Sequence, residues 1–190
     1  MAPGESFALT LGPHDLPKLV YKLALLVSPK VAAEYAAETG DVQMLEAIRH
    51  SRHFTDAFGR DDDDYDDVCS LAVEHGHIAV LRWAATIQEG RFLRSSLALA
   101  RAAECGNLGV LRWLVHSGMD YWWSISENAA MNGHIHILEW LHTRRRLWCL
   151  RASAGAVDGG HAEVLKWLRA SGYQFCDRAT AWWHENVEGR

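Results

Sequence analysis

The chain has no excess of basic charge, no long apolar run, no clustered cysteines and no catalytic fingerprint. Its 19 Lys and Arg stand against 24 Asp and Glu, a formal net charge of −5 with His neutral. A general nucleic-acid binder needs a basic footprint, so that class is set aside. The apolar stretch at 16–27 is interrupted by Lys18 and Lys22, and it falls short of the roughly 20 residues that span a bilayer. No membrane partner is expected. Met1-Ala2-Pro3-Gly4-Glu5 carries no basic n-region, which argues against a secretory signal. Cys69, Cys105, Cys149 and Cys176 form no CxxC pair, and free thiols in a reducing, intracellular compartment are expected. No GxSxG, HExxH, P-loop or dinucleotide pattern occurs. The carboxylates are distributed along the chain instead of paired. A hydrolase or metal-dependent enzyme is therefore the remote alternative, and no catalytic residue, cofactor or metal is expected.

What is present is repetition. Gly160-His161-Ala162-Glu163-Val164-Leu165-Lys166-Trp167-Leu168 echoes Gly133-His134-Ile135-His136-Ile137-Leu138-Glu139-Trp140-Leu141, 27 residues earlier. Further copies begin at Gly106, Gly76 and, more weakly, Gly40. A period in this range predicts a solenoid whose units bury their apolar faces only against their neighbours. With 49% hydrophobic residues there is enough material for one continuous core.

Each unit predicts two helices flanking the glycine. Four positions before it stand Ala36, Ala72, Ala102, Ala129 and Ala156, small enough to let layers approach closely. The glycine suits a left-handed residue closing the first helix. The next position holds Asp41, His77, Asn107, His134 and His161 and predicts the N-cap of the second helix. As ligands, the His75/His77 and His134/His136 pairs straddle that cap, so their rings are expected to diverge. The second helices are apolar almost all round, which predicts burial on several sides. Trp83, Trp113, Trp140 and Trp167 share one slot and are expected to join layers in the core, with Trp140 and Trp167 mostly buried.

The ends and connectors vary. Residues 1–15 read as an irregular arm, and residues 16–27 as a helix capping the first repeat, so 1–30 is set apart from a repeat array over 31–190. The acidic run at 61–67 reads as a solvated loop. Ser117-Gly118 and Ser171-Gly172 end second helices, with Arg144-Arg145 in the matching place. Tyr121, Trp148 and Phe175 follow at 27-residue spacing and are expected to tuck beneath the next helix. Residues 178–187 match the first helix of a sixth unit, with Trp183 in the alanine slot, and predict a terminal cap.

The elements Ala129-Ala130-Met131-Asn132-Gly133-His134 and Val164-Leu165-Lys166-Trp167-Leu168 resemble ankyrin repeats over about residues 31–187. The short spacing and second-helix tryptophan are similar to divergent ankyrin repeats of giant DNA viruses. The Thr-Pro-Leu-His opening of ordinary ankyrin repeats is missing throughout, which removes the expectation of long β-hairpin fingers. The resemblance implies an all-α solenoid of stacked helix-turn-helix units and a non-enzymatic module that binds another protein, host or viral, in the host cytoplasm. A monomer is favoured. Viral proteins of this kind often carry an F-box, and Leu16-Pro17 before an apolar helix is similar to a degenerate one. A substrate-recognition adaptor of a ubiquitin ligase is thus the alternative.

Two surfaces are candidates for the partner. Glu38, Glu74, Glu104 and Asp158 occupy the slot two before the glycine, where negative charge opposes the helix dipole. Stability of the single helix does not account for them, so a stripe that steers a basic partner is one reading. Neutralisation by the second-helix slot of Arg82, Arg112 and Lys166 is the other. The second surface is the rim of Trp122, Trp123, Arg144, Arg145 and Arg146, residue types enriched at interfaces.

Overall fold

The structure, a computed structural model, describes residues 28–50, 63–87, 96–119 and 122–188. Every regular element among them is helical, and no strand occurs there. In order these are α1 (Pro29–Thr39), α2 (Val42–Arg49), α3 (Asp63–Glu74), α4 (Ile78–Ile87), α5 (Ser96–Glu104) and α6 (Leu108–His116). They continue with α7 (Trp122–Met131), α8 (Ile135–Thr143), α9 (Cys149–Asp158), α10 (Ala162–Ala170), α11 (Asp177–Trp183) and a π-helix at His184–Glu188. The expected capping helix and F-box-like segment at 16–27, Tyr121, and Asp61 and Asp62 lie outside the described residues. None of the helices is long and apolar enough to cross a membrane.

One backbone device builds five helix pairs. The first helix ends on Gly40, Gly76, Gly106, Gly133 or Gly160, each with φ between 70° and 79°. The following N–H then reaches back to the buried alanine's carbonyl: Asp41 to Ala36, His77 to Ala72, Asn107 to Ala102, His134 to Ala129 and His161 to Ala156, all at 2.8–2.9 Å. These are the closing bonds of a Schellman turn, which satisfies carbonyls that the helix end would orphan.

The pairs stack in chain order. Each first helix packs on the next, α1 on α3, α3 on α5, α5 on α7, α7 on α9 and α9 on α11. The expected alanines are the reason: Ala36, Ala72, Ala102, Ala129 and Ala156 are all fully buried. The α7–α9 approach is the tightest, because a Cβ at Gly155 would collide with the Glu127 carbonyl. Second helices meet less closely, since Leu, Ile and Trp hold them apart; α2–α4 and α4–α6 are their main contacts.

The expected tryptophan ladder is not uniform. Trp83 and Trp140 are buried, at 5% and 7% exposure. Trp113 and Trp167 are only half-buried. Two further expectations change. Residues 63–67 of the acidic run belong to the start of α3 instead of a loop. Trp148 is 56% exposed instead of tucked under α9, whereas Phe175 is half-buried against Trp183 with centroids 5.6 Å apart. Trp183 itself is buried, as a large residue in an alanine slot must be. The helix changes to π-type directly after it.

Candidate functional site

The slot after each glycine does more than cap. Asp41 caps α2, its carboxylate accepting from the Met44 N–H at 3.0 Å. Asn107, His134 and His161 make no side-chain cap bond, contrary to expectation. Their side chains point back toward the preceding layer. His77 Nε2 donates to the Glu38 carbonyl at 2.8 Å, and His134 Nε2 to the Glu104 carbonyl at 2.7 Å. Asn107 Nδ2 donates to the carbonyls of Val73 and Glu74 at 2.6 and 2.7 Å. Each of these three side chains supplies an N–H donor to carbonyls at the end of the neighbouring first helix.

The ring also explains the glycines a second time. A Cβ on Gly40 would come within 2.7 Å of the His77 ring, and one on Gly106 within 2.8 Å of the His134 ring. Nor do the paired histidines diverge as expected. His75 and His77 stack at 6.2 Å, while His134 and His136 both turn to the Glu104–Gly106 corner, His136 Nε2 donating to the Gly106 carbonyl at 2.9 Å. Their ring nitrogens serve backbone carbonyls. Among the described residues no group of three or more His, Cys, Asp or Glu is placed to hold a metal ion.

The acidic slot is not a bare stripe. Glu38 is exposed, and Glu74 and Glu104 are half-buried and flank one guanidinium: Arg101 lies 3.3 Å from Glu74 and 3.5 Å from Glu104. Asp158 accepts from Arg178 at 2.8 Å. Arg101 and Arg178 reach Glu74 and Asp158 from the next first helix, while Glu104 meets Arg101 of its own helix; Arg82, Arg112 and Lys166, which the second-helix pattern suggested, are not the partners. Glu74 and Asp158, acids at helix ends that are unfavourable within one helix, are thus met by the neighbouring layer. Between Glu74 and Glu104, Cys105 has its thiol pushed above the ordinary range by burial and then by the Glu74 carboxylate, with Arg101 opposing.

The rim is assembled by α7, α8 and their flanks. Trp122 packs on Trp140 with centroids 5.9 Å apart. Arg144 lies 5.1 Å over Trp140, and Arg146 lies 5.5 Å over Trp122. One residue further around α7, Trp123 is 44% exposed beneath Arg151 at 5.7 Å. Arg144, Arg145 and Arg146 are exposed. The structure therefore brings Trp122, Arg144 and Arg146 together and sets Trp123 on the adjoining face.

That face also holds Val31, Tyr35, Leu97 and Leu150, which the repeat pattern did not single out. Among the described residues the exposed large apolar ones are Val31 and Tyr35 on α1, Leu97 on α5, Trp123 on α7, Leu150 on α9, and Trp148 at the cap of α9. All belong to first helices or their caps, and none lies on a second helix. Ion pairs between layers run among them: Lys30–Asp67 at 3.3 Å, Arg151–Glu127 at 3.3 Å and Arg178–Asp158 at 2.8 Å. The available signal was an apolar residue at a slot filled by charge in other copies, such as Leu97 where Asp67 and Arg151 stand. No protein-family model matches the chain, and neither curated proteins nor solved structures yield a match.

Proposed function

We propose that this chain is an ankyrin-like solenoid that acts as a non-enzymatic protein-interaction module, docking its partner on the first-helix face. The observation that carries this reading is the segregation of exposed large apolar residues to the first helices. Scattered apolar residues need no account, but a set confined to one row of helices marks a contact surface. Interlayer ion pairs such as Arg151–Glu127 would form a polar setting around the apolar contacts, a mixture suited to a reversible interface. Four free cysteines support a reducing compartment. Of Glu38, Glu74, Glu104 and Asp158, Glu38 has no interlayer ion pair among the described residues and is the one best placed to steer a basic partner.

The test begins with affinity capture from the native host cell and identification of the bound protein. Its binding is then measured against the full chain and against a variant carrying Tyr35→Ser, Leu97→Ser and Trp123→Ser. These side chains are more than a third exposed, so melting should change little, whereas affinity should fall by about tenfold or more if they are contact residues. Unchanged affinity with an intact fold refutes the first-helix face as the docking surface.

A further inference from the structure

The connector between α8 and α9 departs from its two counterparts at three consecutive positions. Where they carry Ser117-Gly118-Met119 and Ser171-Gly172-Tyr173, it carries Arg144-Arg145-Arg146. The middle backbone is left-handed in all three, with φ of 96° at Gly118, 80° at Gly172 and 55° at Arg145. Among the described residues Arg145 is the one non-glycine with positive φ. That region disfavours any L side chain. The chain twice builds this turn with glycine, so an arginine here is kept against the preference of the backbone.

The three arginines are also not neutralised. Arg49, Arg101, Arg151 and Arg178 each face a carboxylate within 3.5 Å. Arg144, Arg145 and Arg146 form no ion pair among the described residues; Arg144 and Arg146 rest on two indole rings that are themselves in contact. Indole faces hold a guanidinium without consuming its charge, and they limit the rotamers that would have to be frozen on binding. Concentrating like charges on neighbouring rings is unfavourable until a counter-charge arrives. Beyond them in sequence stand Trp148 and Leu150, 56% and 55% exposed.

We infer that this ledge binds an anionic peptide segment, its carboxylates taken by Arg144, Arg145 and Arg146 and an adjoining apolar residue by Trp148 and Leu150. Arg presents a planar fork of donors that matches carboxylates in pairs. A peptide fits better than a nucleic acid. The chain is net acidic, and the neighbouring Arg151 is already committed to Glu127, so the basic area is a short patch instead of a stripe that could follow a phosphate backbone. The ledge adjoins the first-helix face and shares Trp148 and Leu150 with it, but its arginines are not part of that face, and its test does not depend on that partner's identity.

The experiment uses the full chain and two fluorescent probes of similar charge. One is the heptapeptide Asp-Asp-Asp-Asp-Tyr-Asp-Asp, the other a single-stranded oligonucleotide of seven nucleotides. The variant combines Arg144→Ser, Arg145→Gly and Arg146→Met, grafting the residues that the turn after α6 already tolerates. Expected are saturable, salt-sensitive peptide binding and a loss of about tenfold or more in the graft, from removal of several partly exposed charge contacts. Its melting temperature should not fall. A second variant, Trp148→Ala, should weaken the peptide by a smaller factor. Equal binding by graft and native chain, or no binding of the peptide, overturns the proposal; tighter binding of the oligonucleotide overturns it in favour of a nucleic-acid site.

Discussion

Arg145 shows how a single residue can carry information that its neighbours do not. At φ 55° it occupies the place of Gly118 and Gly172, and relieving that backbone should matter by about 1 kcal/mol. Arg145→Gly is accordingly expected to raise the melting temperature by roughly 2–4 °C, the shift that such a change produces in a chain of this size. Calorimetry of the single variant checks it, and an unchanged or lower midpoint would mean that the Arg145 side chain contributes more than its backbone costs. The histidines make the complementary point. His77 and His134 sit in a cap position yet stabilise another layer, donating to Glu38 and Glu104 carbonyls 39 and 30 residues away. Loop-like positions here are interlayer joints.

Among elements, the first and second helices divide the work of stacking. Alanines and Gly155 let the first helices close up, while bulky residues keep the second helices apart. Burial is nevertheless unequal at one second-helix slot, where Trp83 and Trp140 are buried and Trp113 and Trp167 half-buried. Trp140, buried and touching both Trp122 and Arg144, should cost about 3–5 kcal/mol when replaced by alanine. Trp167→Ala should cost about 1–2 kcal/mol, because part of that ring's area is already in water. Denaturant unfolding of the two variants side by side decides the matter, and equal losses would show that the second helices pack as uniformly as the first.

At the scale of the whole molecule, contacts run almost wholly between adjacent pairs, so stability should be distributed like links in a row. α11 covers one end: Ala179 and Trp183 are buried, and Trp183 lies under Arg169 at 5.0 Å. Deleting residues 177–190 uncovers the α9–α10 layer, with Ala152 and Ala156 among its newly exposed residues. Hydrogen exchange of the truncated chain should show protection lost first in residues 149–170, with residues 29–50 and 63–87 least affected. Uniform loss of protection along the chain would instead show a single cooperative unit.

Much of the local architecture was legible in the sequence because it depends on backbone chemistry that residues announce directly. Left-handed glycines, buried alanines four places before them, and the large Trp183 in a terminal alanine slot all follow from spacing and side-chain size. The acidic run was misread at Asp63–Asp67, since charge alone does not distinguish a solvated loop from a helix N-terminus. What only the tertiary structure decided were relations between layers. The repeat shows that Glu74 and Glu104 share a slot, but not that Arg101 reaches both, nor that a histidine cap side chain turns away from its own helix. Those choices depend on the distance and angle between stacked helices, which sequence period leaves free. Among the described residues the same geometry leaves Arg144, Arg145 and Arg146 without an ion pair, while Arg49, Arg101, Arg151 and Arg178 owe theirs to where neighbouring turns and layers place an acid.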